Sequence, residues 1–374
     1  MPVHTWTDGG SVAVSTGTLN LVLGRLPSYT RKARHLQLLG RYAQPSKLLN
    51  LALSEVSRVR GDIVSKGRPY VYTVDTGNVC NLRCPLCPTG YHGLERPQAL
   101  MRLPTFQAIL QKIRPYAIEL ILHNWGEPTL NPHILEIVRA TREAGIGSTI
   151  SSNLNLEHRG DEFLHGLVDS GLDHLTVSID GTTQDVYETY RRNGDLDHVL
   201  HNLRELLRYR TQVGSGTPSI EWQFLVMKHN EHQMEDARRL AREIGVDRLR
   251  FTSPGLPFDR LTDMGLAAEW LPKNREYHMY HPDKIRQQGY LFDERCFYLY
   301  RAMTINPEGG VAPCCAVYHS KSDFGNLIDS SLDAIWNNNH YRSSRALFSK
   351  RHHEDAIDTI CGRCPLFKYG PSRH

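Results

Sequence analysis

No stretch of this chain approaches the roughly 18 consecutive apolar residues that cross a bilayer, so a membrane span is not expected. Met1 to Gly10 contains neither basic residues nor an apolar core of signal-peptide type, and a cytoplasmic location is the expectation. A strong charge of one sign is also missing. The 44 Lys and Arg against 40 Asp and Glu leave a formal charge of +4, with no dense basic run, so nucleic acid is not an expected partner. No Gly-x-Gly-x-x-Gly follows the first predicted strand, and no Gly-x-x-x-x-Gly-Lys-Ser/Thr occurs in the 374 residues, which removes the main residues of dinucleotide and P-loop sites.

What the chain does have is eight unevenly placed cysteines: Cys80, Cys84 and Cys87 in one trio, then Cys296, Cys314, Cys315, Cys361 and Cys364 far downstream. A secreted disulfide framework would be denser and would sit in a smaller chain. In a reducing compartment, closely spaced thiols more often bind metal or perform redox chemistry.

Residues 1–69 read as a mainly helical N-terminal extension. Ser11 to Ser15 alternates as an edge strand would, and helical patterns cover Leu36–Tyr42 and Ser46–Val64 on either side of Pro45. The second helix carries Leu48, Leu49, Ala52, Leu53, Val56 and Val59 near a period of 3.6, a face expected to pack on the next domain. Over residues 70–255, strands are predicted at Tyr70–Asp75, Ile118–His123, Gly147–Ser151, His174–Ile179, Ser219–Met227 and Arg248–Phe251, with helices between them. This alternation predicts an α/β fold, a partial (β/α)6 TIM-type barrel. Residues 256–295 read as a linker or lid, and 296–374 as a small cysteine-rich C-terminal domain.

Chemistry in such barrels gathers at the C-terminal ends of the strands. There the sequence places Cys80, Cys84 and Cys87, then Trp125-Gly126-Glu127-Pro128, Ser151-Ser152-Asn153 and Ser178-Ile179-Asp180. A Cys-x3-Cys-x2-Cys loop can hold three corners of a cubane and leave one iron open. Zinc is the alternative, with His92 as a fourth ligand. In the C-terminal part, Cys296, Cys314 after Gly309-Gly310, Cys361 and Cys364 suit an all-thiolate iron–sulfur site, or a closed structural zinc.

The trio after the first strand resembles the radical S-adenosylmethionine (SAM) superfamily. That resemblance implies a [4Fe–4S] cluster whose open iron chelates SAM, reductive cleavage to a 5′-deoxyadenosyl radical, and hydrogen abstraction from substrate. It also implies an electron donor such as flavodoxin or ferredoxin. By the same resemblance Gly126 and Glu127 hold the SAM amino group, Trp125 standing where the family has a first glycine. Ser152 and Asn153 lie at the ribose, and Ser178 and Arg191 at the carboxylate, Arg191 being favoured over Arg192. Gln223 and Leu225 share a face and either border the substrate or form an ordinary barrel layer.

The C-terminal cysteines, with Phe324-Gly325-Asn326-Leu327, resemble the twitch/SPASM extensions of that superfamily and imply one auxiliary [4Fe–4S] cluster on Cys296, Cys314, Cys361 and Cys364, with Cys315 spare. The leading expectation is an oxidoreductase, a dehydrogenase or epimerase, of a small polyol, amino-sugar or natural-product metabolite. The alternatives are a maturase of a ribosomally made peptide and a non-enzymatic zinc-binding module. Asp259, Asp263, Glu269, Tyr277 and His278 are candidate acid–base groups, and none is singled out.

Overall fold

A computed structural model describes residues 27–156 and 159–370 of the chain, with side chains from Arg34 onward. The edge strand expected at Ser11 to Ser15 lies outside the described residues. Two helices come first, α1 (Pro27–Tyr42) and α2 (Pro45–Arg60). The sheet then alternates with helices: β1 (Val71–Val74), α3 (Leu103–Ile113), β2 (Glu119–Ile121), α4 (Ile134–Glu143), β3 (Gly147–Ser152), α5 (Asp161–Asp169), β4 (His174–Ser178), α6 (Gln184–Tyr190), α7 (Leu196–Gln212), β5 (Ser219–Leu225), α8 (Met234–Ile244) and β6 (Arg248–Thr252). After them come α9 (Met264–Trp270), α10 (Pro282–Gln288), α11 (Tyr298–Arg301), β7 (Ala302–Ile305), β8 (Val311–Ala312), α12 (Leu332–Trp336) and α13 (Asn339–Leu347).

Strands β1 to β6 lie side by side in chain order, all parallel, which is the expected partial barrel. β4 is buried at every residue, the polar His174, Thr176 and Ser178 on one face and Leu175 and Val177 on the other. On β5 the pattern alternates instead: Ile220, Trp222 and Phe224 enter the layer between sheet and helices. Gln223 lies on the opposite face, where its amide oxygen accepts from Arg250 on β6.

The sheet does not stop at six strands. β7 pairs in parallel with the free edge of β1, Val71 facing Ala302 and Val74 facing Ile305, and β8 turns back antiparallel on β7. A strand of four residues inside a cysteine-rich segment carries too short a pattern to be read from sequence.

The N-terminal helices reverse the expectation for their apolar face. The lower end of the barrel offers carbonyls and carboxylates, and polar side chains turn toward it. Lys47 Nζ donates to the Gly145 carbonyl at 2.7 Å, and Asn50 and Ser54 donate to the Arg68 carbonyl at 3.0 and 2.8 Å. Glu55 receives the Tyr70 hydroxyl at 2.7 Å and two donors of Arg301, while Arg41 and Tyr42 both reach Asp173. Lys47, Asn50, Ser54 and Ser57 are the buried residues of α2, so Leu48, Leu49, Ala52, Leu53, Val56 and Val59 face outward. Periodicity finds the stripe but not its direction.

Candidate cluster and cofactor site

The chain leaves β1 through a loop fixed at its base before it reaches the cysteines. Asn78 clamps the return strand, donating to the Pro97 carbonyl at 2.8 Å and accepting the Ala99 amide at 2.7 Å. Between these fixed ends Cys80, Cys84 and Cys87 share one turn, closed by the Cys87 amide on the Cys84 carbonyl at 3.1 Å. Gly90 packs so closely beneath it that a Cβ would lie 2.3 Å from the Cys84 oxygen. Burial pushes the Cys80 thiol up to about 12, helped by the charges of Glu127, Cys84 and Cys87. Burial likewise lifts Cys84 to about 11, with Arg191 opposing it. Thiols crowded in this way stay protonated until a metal takes the sulfur, so the donor set fits an iron–sulfur cluster.

Gly126 is dictated by packing. A Cβ there would sit 1.8 Å from the Gly77 carbonyl oxygen, and the next amide, Glu127, donates to the Val79 carbonyl at 2.8 Å. The turn after β2 is thus laid directly on the loop leading to Cys80, and the Trp125 carbonyl accepts from Thr89 in that same loop.

Glu127 is buried. Its Oε1 accepts from the Thr129 amide at 3.1 Å, the Thr129 hydroxyl at 2.5 Å and the Ser152 hydroxyl at 2.8 Å, and its Oε2 from the Asn153 amide at 2.8 Å. The carboxylate therefore ties the ends of β2 and β3 together. Ser152 points inward to Glu127, away from the rim; by the alternation of a strand it is Ser151 that faces the rim, 3.4 Å from the Ser178 hydroxyl. Asn153 lies next to the cluster loop, its amide 3.8 Å from the Cys80 sulfur and 3.1 Å from the Asn81 oxygen.

Of the two arginines after α6, Arg191 turns inward. Its Nε donates to Asp180 at 2.6 Å and its Nη1 stands 3.9 Å from the Cys84 sulfur. Burial works against this guanidinium, but Asp180 and Cys84 outweigh it and hold it charged, its pKa well above the usual value. Asp180 in turn accepts the Leu225 amide at 2.7 Å, so the arginine is aimed by a buried carboxylate anchored to β5.

The C-terminal thiols come from three separate segments. Cys296 precedes α11, whose Tyr298 and Leu299 amides point at its sulfur. Cys314 follows β8, and Cys361 and Cys364 lie in a short turn near the chain end. Burial raises Cys296 and Cys314 well above the usual thiol value, and each lies in the field of Cys361 and Cys364. Cys315 instead contacts the Tyr298 hydroxyl at 3.8 Å. No three His, Cys, Asp or Glu side chains among the described residues close on a single ion-sized point. Two buried thiols, Cys296 and Cys361, and two half-buried ones, Cys314 and Cys364, form a donor set that suits an iron–sulfur cluster by its chemistry.

Several rim residues were not singled out in the sequence. His123 Nδ1 accepts the Ser151 amide at 3.0 Å. Asp75, at the end of β1, accepts the Trp125 amide at 3.3 Å, and burial pushes it up to about 7. The only available signal was position: each stands at the C-terminal end of a predicted strand. Of the candidate acid–base groups, Asp259 accepts from Tyr318 at 3.0 Å and pairs with His319 at 2.6 Å, linking residues 256–295 to the C-terminal segment. Asp263 instead caps α9 and pairs with Arg260. His278 bonds the Pro272 carbonyl at 2.5 Å, and Glu269 and Tyr277 lie in or just after the short helices of this segment.

Family comparison agrees with this geometry. The Radical SAM superfamily model matches residues 74–241, and an iron–sulfur cluster-binding domain of SPASM type matches 296–365. The chain belongs to the radical SAM superfamily and carries a SPASM-type auxiliary-cluster domain at its C-terminal end. These domains imply a [4Fe–4S] cluster working with SAM, and an auxiliary cluster.

Among its relatives is a tungsten-containing aldehyde ferredoxin oxidoreductase cofactor-modifying protein of Pyrococcus furiosus, 27% identical over 73% of this chain and 82% of the relative. Another is a PqqA peptide cyclase of Gluconobacter oxydans, 26% identical over 69% of this chain and 74% of the relative. The fold matches Streptococcus suis SuiB, solved with S-adenosylmethionine, with a TM-score of 0.57 and 16% identity over 92% of this chain and 84% of that one.

Proposed function

We propose that this radical SAM enzyme modifies a polypeptide. The relation to a PqqA peptide cyclase over most of both chains carries the reading, and SuiB, which shares the fold, has been solved bound to its precursor peptide SuiA. Peptide maturation thereby gains on the leading expectation from sequence, a dehydrogenase or epimerase of a small metabolite. A second reading, modification of a cofactor, has its own support in the Pyrococcus furiosus relative.

In this proposal Cys80, Cys84 and Cys87 hold the SAM-binding cluster, and Cys296, Cys314, Cys361 and Cys364 hold the auxiliary one. When bound, the first cluster and SAM supply one-electron cleavage of SAM and hydrogen abstraction. The chain's own contribution is placement. Arg191, aimed by Asp180, meets the SAM carboxylate, with Ser178 beside it. The backbone at Gly126 meets the amino group, and Glu127 holds that turn against Asn153 rather than acting alone. Asn153 and Ser151 line the ribose side, Ser151 standing 3.4 Å from the Ser178 hydroxyl. An electron donor of flavodoxin or ferredoxin type is part of the proposal, as are a barrel over 70–255, a lid over 256–295 and an auxiliary domain over 296–374. Among the described residues no helix is long and apolar enough to cross a membrane.

The test uses anaerobically reconstituted protein, dithionite and SAM, with short peptides encoded beside the gene. The expected result is 5′-deoxyadenosine formation stimulated by one peptide and a mass change in that peptide. Stimulation by small metabolites or a cofactor precursor, with none by any peptide, would overturn the reading.

A further inference from the structure

Three arginines among the described residues are buried, and two of them have carboxylate partners: Arg96 meets Glu308 and Asp323, and Arg210 meets Asp247. The third, Arg345 on α13, is 0% exposed and forms no ion pair among the described residues. Its Nε donates to the Leu299 carbonyl at 2.9 Å and its Nη2 to the Trp336 carbonyl at 2.8 Å. Its Nη1 donates to the Ile63 carbonyl at 3.1 Å and to the Asn337 side-chain oxygen at 2.8 Å. Every one of these acceptors is neutral. The ring centres of Trp336, Tyr341 and Tyr300 lie 4.5, 5.3 and 5.5 Å from the guanidinium carbon. Burial brings Arg345 down to about 10, which still leaves it charged. A buried cation with no counter-ion is costly, and dipoles and rings offset only part of that cost.

The surroundings show where an anion would stand. Ser344, the preceding residue, hydrogen-bonds the Cys361 sulfur together with Thr359. Tyr341 lies in the field of Cys361 and Cys314 as well as that of Arg345, and Tyr300 in the fields of Arg345 and Cys296. Leu299, whose carbonyl Arg345 holds, turns its own amide toward the Cys296 sulfur. Arg345 therefore packs directly behind residues that face three of the four C-terminal thiols. A cubane held by four thiolates is a net anion, and its potential follows the charges and hydrogen bonds around it.

We propose that Arg345 is the counter-charge of the auxiliary cluster, a positioning residue that sets the potential at which this cluster takes up an electron. This rests on the assignment of Cys296, Cys314, Cys361 and Cys364 to that cluster. A positive charge fixed in a poorly polarisable interior favours the more negative, reduced state. Arginine suits the place because it stays charged where a lysine would more readily give up its proton. A scaffold for carbonyls would need donors, which a neutral amide also supplies, and would need no charge.

The experiment is a potentiometric titration of the anaerobically reconstituted full chain, followed by electron paramagnetic resonance. The SAM-binding cluster, recognised by the change SAM makes in its signal, is the internal reference. Arg345→Gln keeps donors and loses the charge; Arg345→Lys keeps the charge and loses the fork. In Arg345→Gln the equilibrium constant for reducing the auxiliary cluster should fall about tenfold, about 59 mV toward negative potential, with the reference unmoved. Arg345→Lys should stay within about twofold of the wild type. Loss of the auxiliary cluster from Arg345→Gln but not from Arg345→Lys supports the same role. The proposal is overturned by an unmoved potential in Arg345→Gln, by equal shifts in the two variants, or by a shift of both clusters. It is equally overturned if Arg345→Lys loses the auxiliary cluster or fails to fold, because a scaffold then accounts for the residue. About four irons in the wild type would refute the four-thiol assignment and this role with it, whereas about eight irons with an unmoved potential would refute the role of Arg345 alone.

Discussion

The two thiol sets are built in opposite ways. Cys80, Cys84 and Cys87 lie on a single turn whose shape is fixed by its neighbours, the Gly126 backbone below and Asn153 beside it. A largely covered cation, Arg191, stands against Cys84. Cys296, Cys314, Cys361 and Cys364 are gathered from three segments, in each other's field. In the proposed reading, a local set with one corner missing and a cation beside it would admit a ligand, whereas a set closed by distant segments would exclude one. The contrast also says where each is vulnerable: the first to changes in one turn, the second to anything that separates α11, β8 and the chain end.

The largest effect that would break this comparison is expected from Cys84→Ala, which should abolish SAM cleavage and remove about four of roughly eight irons. Cys361→Ala should remove a similar share while 5′-deoxyadenosine still forms, and Cys315→Ala should leave iron content unchanged; paired iron assays and chromatography of the cleavage product read all three. Equal iron loss in Cys315→Ala and Cys314→Ala would erase the distinction between ligand and spare thiol.

Arg191→Lys keeps the charge but loses the planar fork, and should lower SAM cleavage by about 10- to 100-fold while leaving both clusters loaded. Wild-type rates in that variant would remove the cation from the comparison.

Gly126→Ala drives a methyl into the Gly77 carbonyl and should cost about 3 kcal/mol in a denaturation experiment, mostly by loosening the cysteine turn.

The smallest effect concerns the other set. Arg301, at the end of α11, is clamped to Glu55. Partial burial works against the Glu55 charge, but Arg301, Tyr70 and Arg58 overcome it and hold the carboxyl down at about 2. A depressed acid stabilises the fold above its unfolded value near 4.5 and loses that contribution as pH falls toward 2. After solvent screening this amounts to about 1 kcal/mol, and Glu55→Gln should flatten the acid limb of a stability–pH curve by that much.

The cysteine constellations and the six strands of the barrel were legible because both are local patterns: thiol spacing on one loop, and short β-rich runs between helices. Arg191 turns inward to Asp180, and Cys314 and its neighbour Cys315 both lie close to the other C-terminal thiols. The illegible features are directional or non-local. Ser152 and Ser151 are neighbours in sequence but point to opposite sides of β3, and only the strand's register assigns them. Glu127 is recognisable as a motif residue, yet its four acceptor contacts come from Thr129 and from β3 and the residue after it. The stripe on α2 was visible as a period, but which side meets the barrel depends on the carbonyls and acids at the barrel's lower end.

The pairing of β7 with β1 carries a consequence for how the molecule is made. One edge of β1 stays unsatisfied until Ala302–Ile305 has been synthesised, and Arg96, on the return strand of the cysteine turn, finds Glu308 and Asp323 only then. A chain still on the ribosome therefore presents its first three thiols on an unfinished edge. Closing that edge is a late, long-range event of the slow kind. A chain truncated before β7 should therefore fail to retain iron at Cys80, Cys84 and Cys87 although all three residues are present, which iron analysis of the truncated chain checks.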